Sequence, residues 1–337
     1  MAFLFKRNPK TPQELVRALT EQSSKLSSSL DNYKRYQDEC GRYLKQIKVV
    51  IYGDDENEPQ PELVAALSRE ILNSDCLYYL VYKLKHLDFD SRKDVVALFL
   101  TLLRRQVGSS VPAVGYLVNT KPEILVLLLK GPENDEVALA CGQILRECIK
   151  YEDVNKYIID HPFLWNYFRY MQSPVFEIAT DSYTTFHDIL TTHKKIVSDF
   201  LANNYDRFTT NINTLIQCDN YVTKRQSVRL LAELVLQRQN QYFLNKYFDD
   251  TNNLKLVMLL LSDKLKNLRI EGFHIFKFFV AKPKKSQKIQ DILIRNRGNF
   301  LAFFESFDFS SFNDRNLIEE RDYIIGEIEK LPAIERK

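Results

Sequence analysis

The sequence predicts an all-α protein built as an armadillo- or HEAT-like helical-repeat solenoid, with capping helices at both ends. Three observations carry that expectation. First, one helical pattern returns five times, a little over forty residues apart, marked by Leu103, Leu145, Phe186, Leu231 and Phe276. Eight residues before the marks stand Val95, Val137, Ile178, Thr223 and Leu268. Three after them stand Gln106, Cys148, Ile189, Leu234 and Phe279, and four after them Val107, Ile149, Leu190, Val235 and Val280. These spacings put every one of those positions on a single face of an α-helix. Second, the residue four before the mark is small in Ser182, Ser227 and Gly272, nearly so in Cys141, and large only in Phe99. Third, the 337 residues include only 9 glycines, which suits a chain with few tight strand turns.

The elements follow in order. Thr11-Pro12-Gln13-Glu14 reads as a capping box with proline at the first helical position, opening a helix to about Gln22. Ser23 to Ser29 reads as a turn, and a second helix runs from about Asp31 to Ile51, stopped by Gly53. Gly53 to Pro61 is an acidic loop that lacks the residue order and the distal glutamate of a calcium loop. From Pro61 each repeat holds three helices. The short first helices are Ala113–Val118, Val154–Ile159, Ile196–Leu201 and Tyr242–Phe248. The second helices are Glu123–Lys130, Phe163–Tyr170, Arg207–Ile216 and Asn253–Ser262, and the marked helix is the third. A short helix before two longer ones is armadillo order more than HEAT order. Asn299–Phe307 and a last helix from Asp314 to Leu331 close the array. That last helix carries Glu319, Glu320, Arg321 and Glu329 as the polar face of a terminal cap, Pro332 stops it, and the residues beyond are expected to fray. The expected organisation is one continuous domain: capping helices and acidic loop over 1–60, repeats over 61–310, and a capping helix with a short tail over 311–337.

Composition narrows the function. The 47 Lys and Arg against 44 Asp and Glu leave a net charge of +3, so the whole molecule is not tuned for nucleic acid. The five cysteines are odd in number and form no CxxC pair, which points to a reducing compartment, with Cys141 and Cys148 as buried thiols on one helix face. The opening MAFLFKRNPK has no apolar stretch for a signal peptide, and the longest apolar run, Ile124 to Leu129, is too short to span a bilayer. The expectation is a soluble, cytoplasmic protein. His86, His161, His187, His193 and His274 fall in different segments, and the loose His187/His193 pair has the wrong spacing for one metal on a helix. No phosphate-binding glycine loop and no nucleophile elbow occurs. No catalytic residue, metal or cofactor is expected.

A binding surface is expected instead. On the fourth marked helix, the face opposite the core carries Tyr221, Arg225 and Arg229. The same offsets give Phe176, Thr180 and Thr184 one repeat earlier, and Lys266, Ile270 and His274 one repeat later. In a right-handed armadillo stack the third helices line a concave groove, which would then show two aromatic rings beside two arginines. Rings flanked by arginine are enriched at interface hot spots, although rings also close gaps between repeats. A second candidate is the basic end. Lys255 and Met258 share a helix face, and Lys282, Lys284, Lys285, Lys288, Arg295 and Arg297 follow. An acidic peptide or a C-terminal carboxylate would suit it, although charged loops are usually only solvated.

The strings DSRKDVVALFLTLLRRQVG (90–108), EVALACGQILRECI (136–149), NYVTKRQSVRLLAELVL (220–236) and EGFHIFKFFVAKPKKSQ (271–287) resemble the calcium-binding protein 39 family, also called Mo25-like scaffolds. The resemblance runs from MAFLFKR to the last helix, and the Asn- and Tyr-rich composition looks like that of fungal (Hym-type) members. It implies a non-enzymatic scaffold, monomeric when free, that holds a Ste20-class kinase or pseudokinase in its active conformation. A downstream network ending in an NDR-type kinase would serve cell polarity, morphogenesis and cell separation. The family's kinase-facing positions fall on Phe176, Tyr221, Arg225, Arg229 and Arg238, and its peptide pocket on Lys255, Met258 and Arg295. Arg229 and Arg295 stand where animal members have lysine, which keeps charge and changes geometry. The rival reading is a solenoid adaptor for transport or RNA. Such a reader would want basic and stacking residues along many repeats, whereas here they cluster in the last three.

Overall fold

The computed structural model describes residues 11–27, 31–54, 58–309 and 314–332. Among these residues the regular structure is helical, apart from an isolated antiparallel bridge between Val107 and Ser110. The chain forms two compact units, Met1–His193 and Lys194–Lys337.

The first unit comprises α1 (Pro12–Lys25), α2 (Tyr33–Tyr52), α3 (Pro61–Leu72), α4 (Cys76–Tyr82), α5 (Phe89–Arg104), α6 (Pro112–Gly115), α7 (Glu123–Leu129), α8 (Ala138–Cys148), α9 (Glu152–Ile159), α10 (Tyr167–Tyr170) and α11 (Phe176–Thr191). The second comprises α12 (Lys194–Asn203), α13 (Tyr205–Ile216), α14 (Tyr221–Leu236), α15 (Gln241–Asp249), α16 (Thr251–Leu261), α17 (Lys266–Ala281), α18 (Gln287–Arg295), α19 (Arg297–Ser306) and α20 (Arg315–Glu329). The order short, medium, long is clearest in α12–α13–α14 and α15–α16–α17, so the fold is an all-α helical repeat of the armadillo-like solenoid class. Within the first unit the third helices pack in succession, α5 on α8 and α8 on α11. Within the second, α14 packs on α17, and α17 on α20.

The repeated pattern is the core. Leu103, Leu145, Phe186, Leu231 and Phe276 are all buried, as are the residues eight and four before each of them. The small residue at the latter position admits a neighbouring helix: a β-carbon on Gly272 would come within 2.8 Å of the Leu260 side chain on α16. Buried amides then lock second helices in place. Asn253 of α16 takes a hydrogen bond from Asn213 of α13 at 2.8 Å and donates to the Tyr247 carbonyl at 3.1 Å, so its buried polar atoms are satisfied. The expected ends hold as well. The Thr11 hydroxyl accepts from the Glu14 amide at 3.2 Å, and the Asp314 carboxylate caps α20.

Several expectations need correction. α5 ends at Arg104, so Gln106 and Val107 leave the helix, and Val107 is 53% exposed. The cause is the turn that follows. Gly108 takes a φ of +63°, and Val107 and Ser110 pair across it. The first helix expected over 113–118 is one α turn, α6, followed by a π turn over Tyr116–Thr120. The second helix expected over 163–170 begins as a 3₁₀ helix, Pro162–Asn166, with Pro162 at its first position, and only one α turn, α10, follows. α1 continues through Ser23 to Lys25, with the Ser23 and Ser24 hydroxyls bonded back to carbonyls of the preceding turn. Ser28 and Ser29 of the expected serine turn, the middle of the acidic loop and the tail after Pro332 lie outside the described residues.

Candidate functional site

In the second unit, the position of Tyr221 is set by its helix start. The Asn220 side chain accepts from the Thr223 amide at 3.1 Å, making Tyr221 the first residue of α14. Burial of Thr223, Ser227 and Leu231 then turns Tyr221, Arg225 and Arg229 outward, and all three are exposed. Arg238 follows on a 3₁₀ turn, Arg238–Asn240, and is exposed. Buried Asn240 fixes that turn by donating to the Leu234 carbonyl at 2.8 Å. Among the described residues, Arg225, Arg229 and Arg238 enter no hydrogen bond or ion pair through their side chains. One acidic group stands near two of them: Glu271 of α17 is half-buried, and burial pushes its carboxyl above the ordinary value while Arg225 and Arg229 pull it back.

In the first unit, Phe176 is the first residue of α11 and is 63% exposed. Thr184 is exposed and donates to the Thr180 carbonyl at 2.9 Å, while Thr180 is half-buried. The equivalent face of the last full repeat is open only at its start, where Lys266 is exposed. Ile270 is buried, and His274 feels the charges of Asp314 and Glu320, so α20 covers this part of α17. Lys277, one turn further, pairs with Glu320 at 2.6 Å. A cap on the end of the array accounts for the correction, and it makes Glu320 an ion-pair partner rather than part of a free polar face.

The second candidate set lies on α16 and α18, which pack against each other. Lys255 and Arg295 are exposed and Met258 is half-buried. Leu259, between them in sequence, is 67% exposed, an apolar side chain that sequence reasoning passed over. The basic end is less free than its charge suggests. Lys282 pairs with Asp249 at 2.7 Å, and the Lys285 ammonium donates to the Lys282 carbonyl at 2.7 Å. The histidines also have local partners: His187 faces Asp188 at 3.2 Å, and the His193 Nε2 lies 2.9 Å from the Ile149 carbonyl. Among the described residues no group of three or more His, Cys, Asp or Glu side chains is placed to hold a metal. None of the helices described is long and apolar enough to cross a membrane.

Glu271 was missed for a simple reason. A single glutamate among charged residues carries no signal until its repeat register is compared. It stands five residues before its mark, and Asp181 stands five before the mark of α11. Asp181 meets Arg146 at 2.8 Å, so this register recurrently turns a carboxylate toward arginine on the preceding third helix.

Comparison with known proteins identifies the family. The human calcium-binding protein 39-like protein is 40% identical over 328 residues, covering 97% of each chain. A Mo25-like protein of Schizosaccharomyces pombe is 38% identical over 331 residues, covering 98% of this chain and all of its own. An engineered protein of known crystal structure aligns over 95% of this chain and 69% of its own with a TM-score of 0.53 at 14% identity, a likeness of fold alone. The Mo25-like family pattern matches residues 3–332, and the chain belongs to that family.

Proposed function

We propose that this protein is a non-catalytic, cytoplasmic scaffold for a Ste20-class kinase or pseudokinase, acting in a polarity and morphogenesis network that ends in an NDR-type kinase. Membership of the Mo25-like family supports a scaffold or adaptor role. The observation that carries the finer reading is the exposed, unpaired set Arg225, Arg229 and Arg238 beside Tyr221. Guanidinium groups with no partner of their own are ready for carboxylates on another protein, and arginine and tyrosine are the residues most enriched at hot spots.

In this reading Phe176, Tyr221, Arg225, Arg229 and Arg238 each contact the kinase. Lys255, Met258 and Arg295 take a short acidic–aromatic peptide from the same partner. Leu259 adds apolar area next to that peptide. The scaffold binds the active conformer better than the inactive one and so raises its population. A tenfold shift needs about 1.4 kcal/mol of differential binding. Two contacts on one partner reinforce each other through effective concentration.

The test is affinity capture from the protein's own cell extract, with wild type beside Arg225→Ala/Met258→Ala, read by mass spectrometry. A Ste20-class kinase held by wild type and lost by the variant is the expected result. Retention by both discards these residues, and capture of RNA-binding or transport factors instead discards the kinase reading.

A further inference from the structure

Besides its large Phe99, the first repeat departs from the other four at the end of its marked helix, and a groove opens there. In repeats two to five the residues three and four after the mark are buried: Cys148 and Ile149, Ile189 and Leu190, Leu234 and Val235, Phe279 and Val280. In the first repeat the corresponding Gln106 and Val107 are exposed, because α5 stops at Arg104. The Tyr151 hydroxyl takes up the Leu103 carbonyl that this early end leaves without a helical partner. The helix end is therefore fixed rather than frayed.

The groove has a volume of about 460 Å³, inside the range of ligand sites. One wall is a stripe of α3, Ala65, Ser68, Arg69 and Leu72, spaced as one face of a helix. Arg105 and Val107, just beyond the end of α5, line the groove as well. Val107 is held there by the tight turn through Gly108 and presents an isopropyl group to solvent. Arg69 and Arg105 enter no side-chain hydrogen bond or ion pair among the described residues. None of these residues belongs to the surfaces assigned above to the kinase.

We propose that this groove binds a partner peptide carrying apolar side chains flanked by carboxylates. The apolar side chains take the place of the helical turn that the first repeat lacks. The carboxylates meet Arg69 and Arg105, whose planar forks suit two-point contact. The elongated α3 stripe fits a turn or two of chain better than a compact small molecule. Two arginines beside an apolar wall fit a short acidic segment better than a polyanionic backbone, which would need many cations along its path.

The probe is a short fluorescein-labelled peptide with leucines in a helical stripe and glutamates at the remaining positions. Its control has lysine in place of glutamate. Anisotropy is measured with the full chain as wild type, as Arg69→Glu/Arg105→Glu, and as Lys264→Glu, a charge reversal at an exposed lysine of the second unit that belongs to neither assigned surface. Saturable binding of the glutamate peptide to wild type and to Lys264→Glu, weakened at least about tenfold in the double variant, is the expected outcome. Equal binding by the double variant, no saturable binding, or a preference for the lysine peptide overturns the proposal. So does binding to phosphatidylserine vesicles, in place of the peptide, that the double variant loses. Should the double variant melt below wild type, Ala65→Trp, which fills the groove without reversing charge, must weaken the peptide by a similar factor, and normal binding by it sinks the idea.

Discussion

The same repeat position is used differently in the two units. In the first, Asp181 of α11 closes on Arg146 of α8 at 2.8 Å, and the same guanidinium donates to Thr185 at 2.7 Å. The pair is largely shielded, with 13% of the Asp181 side chain and 22% of the Arg146 side chain exposed. Gly142 makes the closure possible, since a β-carbon there would sit 1.9 Å from the Asp181 carboxylate. In the second unit Glu271 of α17 feels Arg225 and Arg229 of α14, yet neither arginine closes on it. Both carboxyls are raised by burial, and in both the arginine only partly offsets it. One unit closes its arginine on the carboxylate of the next repeat, and the other leaves its arginines exposed.

Four predictions, resting on five substitutions, break or sharpen that contrast, in descending order of their expected effect on stability. Leu231→Ala, in the fully buried core under the open arginines, should cost about 2–5 kcal/mol in denaturant unfolding. A smaller loss than at the closed pair would show that α14 is loosely packed. Gly142→Ala or Arg146→Ala should cost about 1–3 kcal/mol, by displacing the Asp181 carboxylate or by leaving it without its cation. If either variant melts with wild type, the closed pair fastens nothing.

The third is Glu271→Gln. Because the folded state raises this carboxyl's pKa, its contribution to stability is fully present below the unfolded pKa and is lost as pH rises through the folded one. At neutral pH the glutamine variant should therefore melt above wild type, with the gap closing as pH falls through the carboxylate range. A gap that does not change with pH would mean the carboxyl is not strained by burial. The smallest effect on stability belongs to Arg225→Ala, within about 0.5 kcal/mol, while kinase affinity falls about tenfold. Calorimetry and titration of the kinase check the two halves separately, and a large stability loss would place Arg225 with Arg146 as a fastener.

The fold was legible because burial repeats. A helix that packs on its neighbours must place an apolar residue at every turn of one face, so the register read from Leu103 to Phe276 is also the buried register. It failed at Gln106 and Val107 because the pattern was extended into the turn around Gly108, whose left-handed backbone is a local signal stronger than the repeat. It failed at Ile270 because a repeat pattern describes neighbours within the array and knows nothing of α20, which folds back over α17. The outward positions of Tyr221, Arg225 and Arg229 followed from helical spacing alone. Arg238 did not, since it stands on a 3₁₀ turn set by buried Asn240, and neither did the exposure of Leu259.

The buried thiols give the molecule a built-in chronometer. Cys40, Cys76, Cys141 and Cys148 all lie within the first unit and are buried; burial pushes Cys40, Cys76 and Cys141 up to about 12, and Cys148 up as well. Such groups hold almost no thiolate at neutral pH and are inert to alkylation until their surroundings open. Cys218, in the second unit, is partly exposed. A pulse of a thiol reagent therefore marks Cys218 from the native state, and each further label records an opening of the first unit. Followed over time, the slow labels give the rate at which the closed half of the molecule breathes, with the fast one as an internal zero.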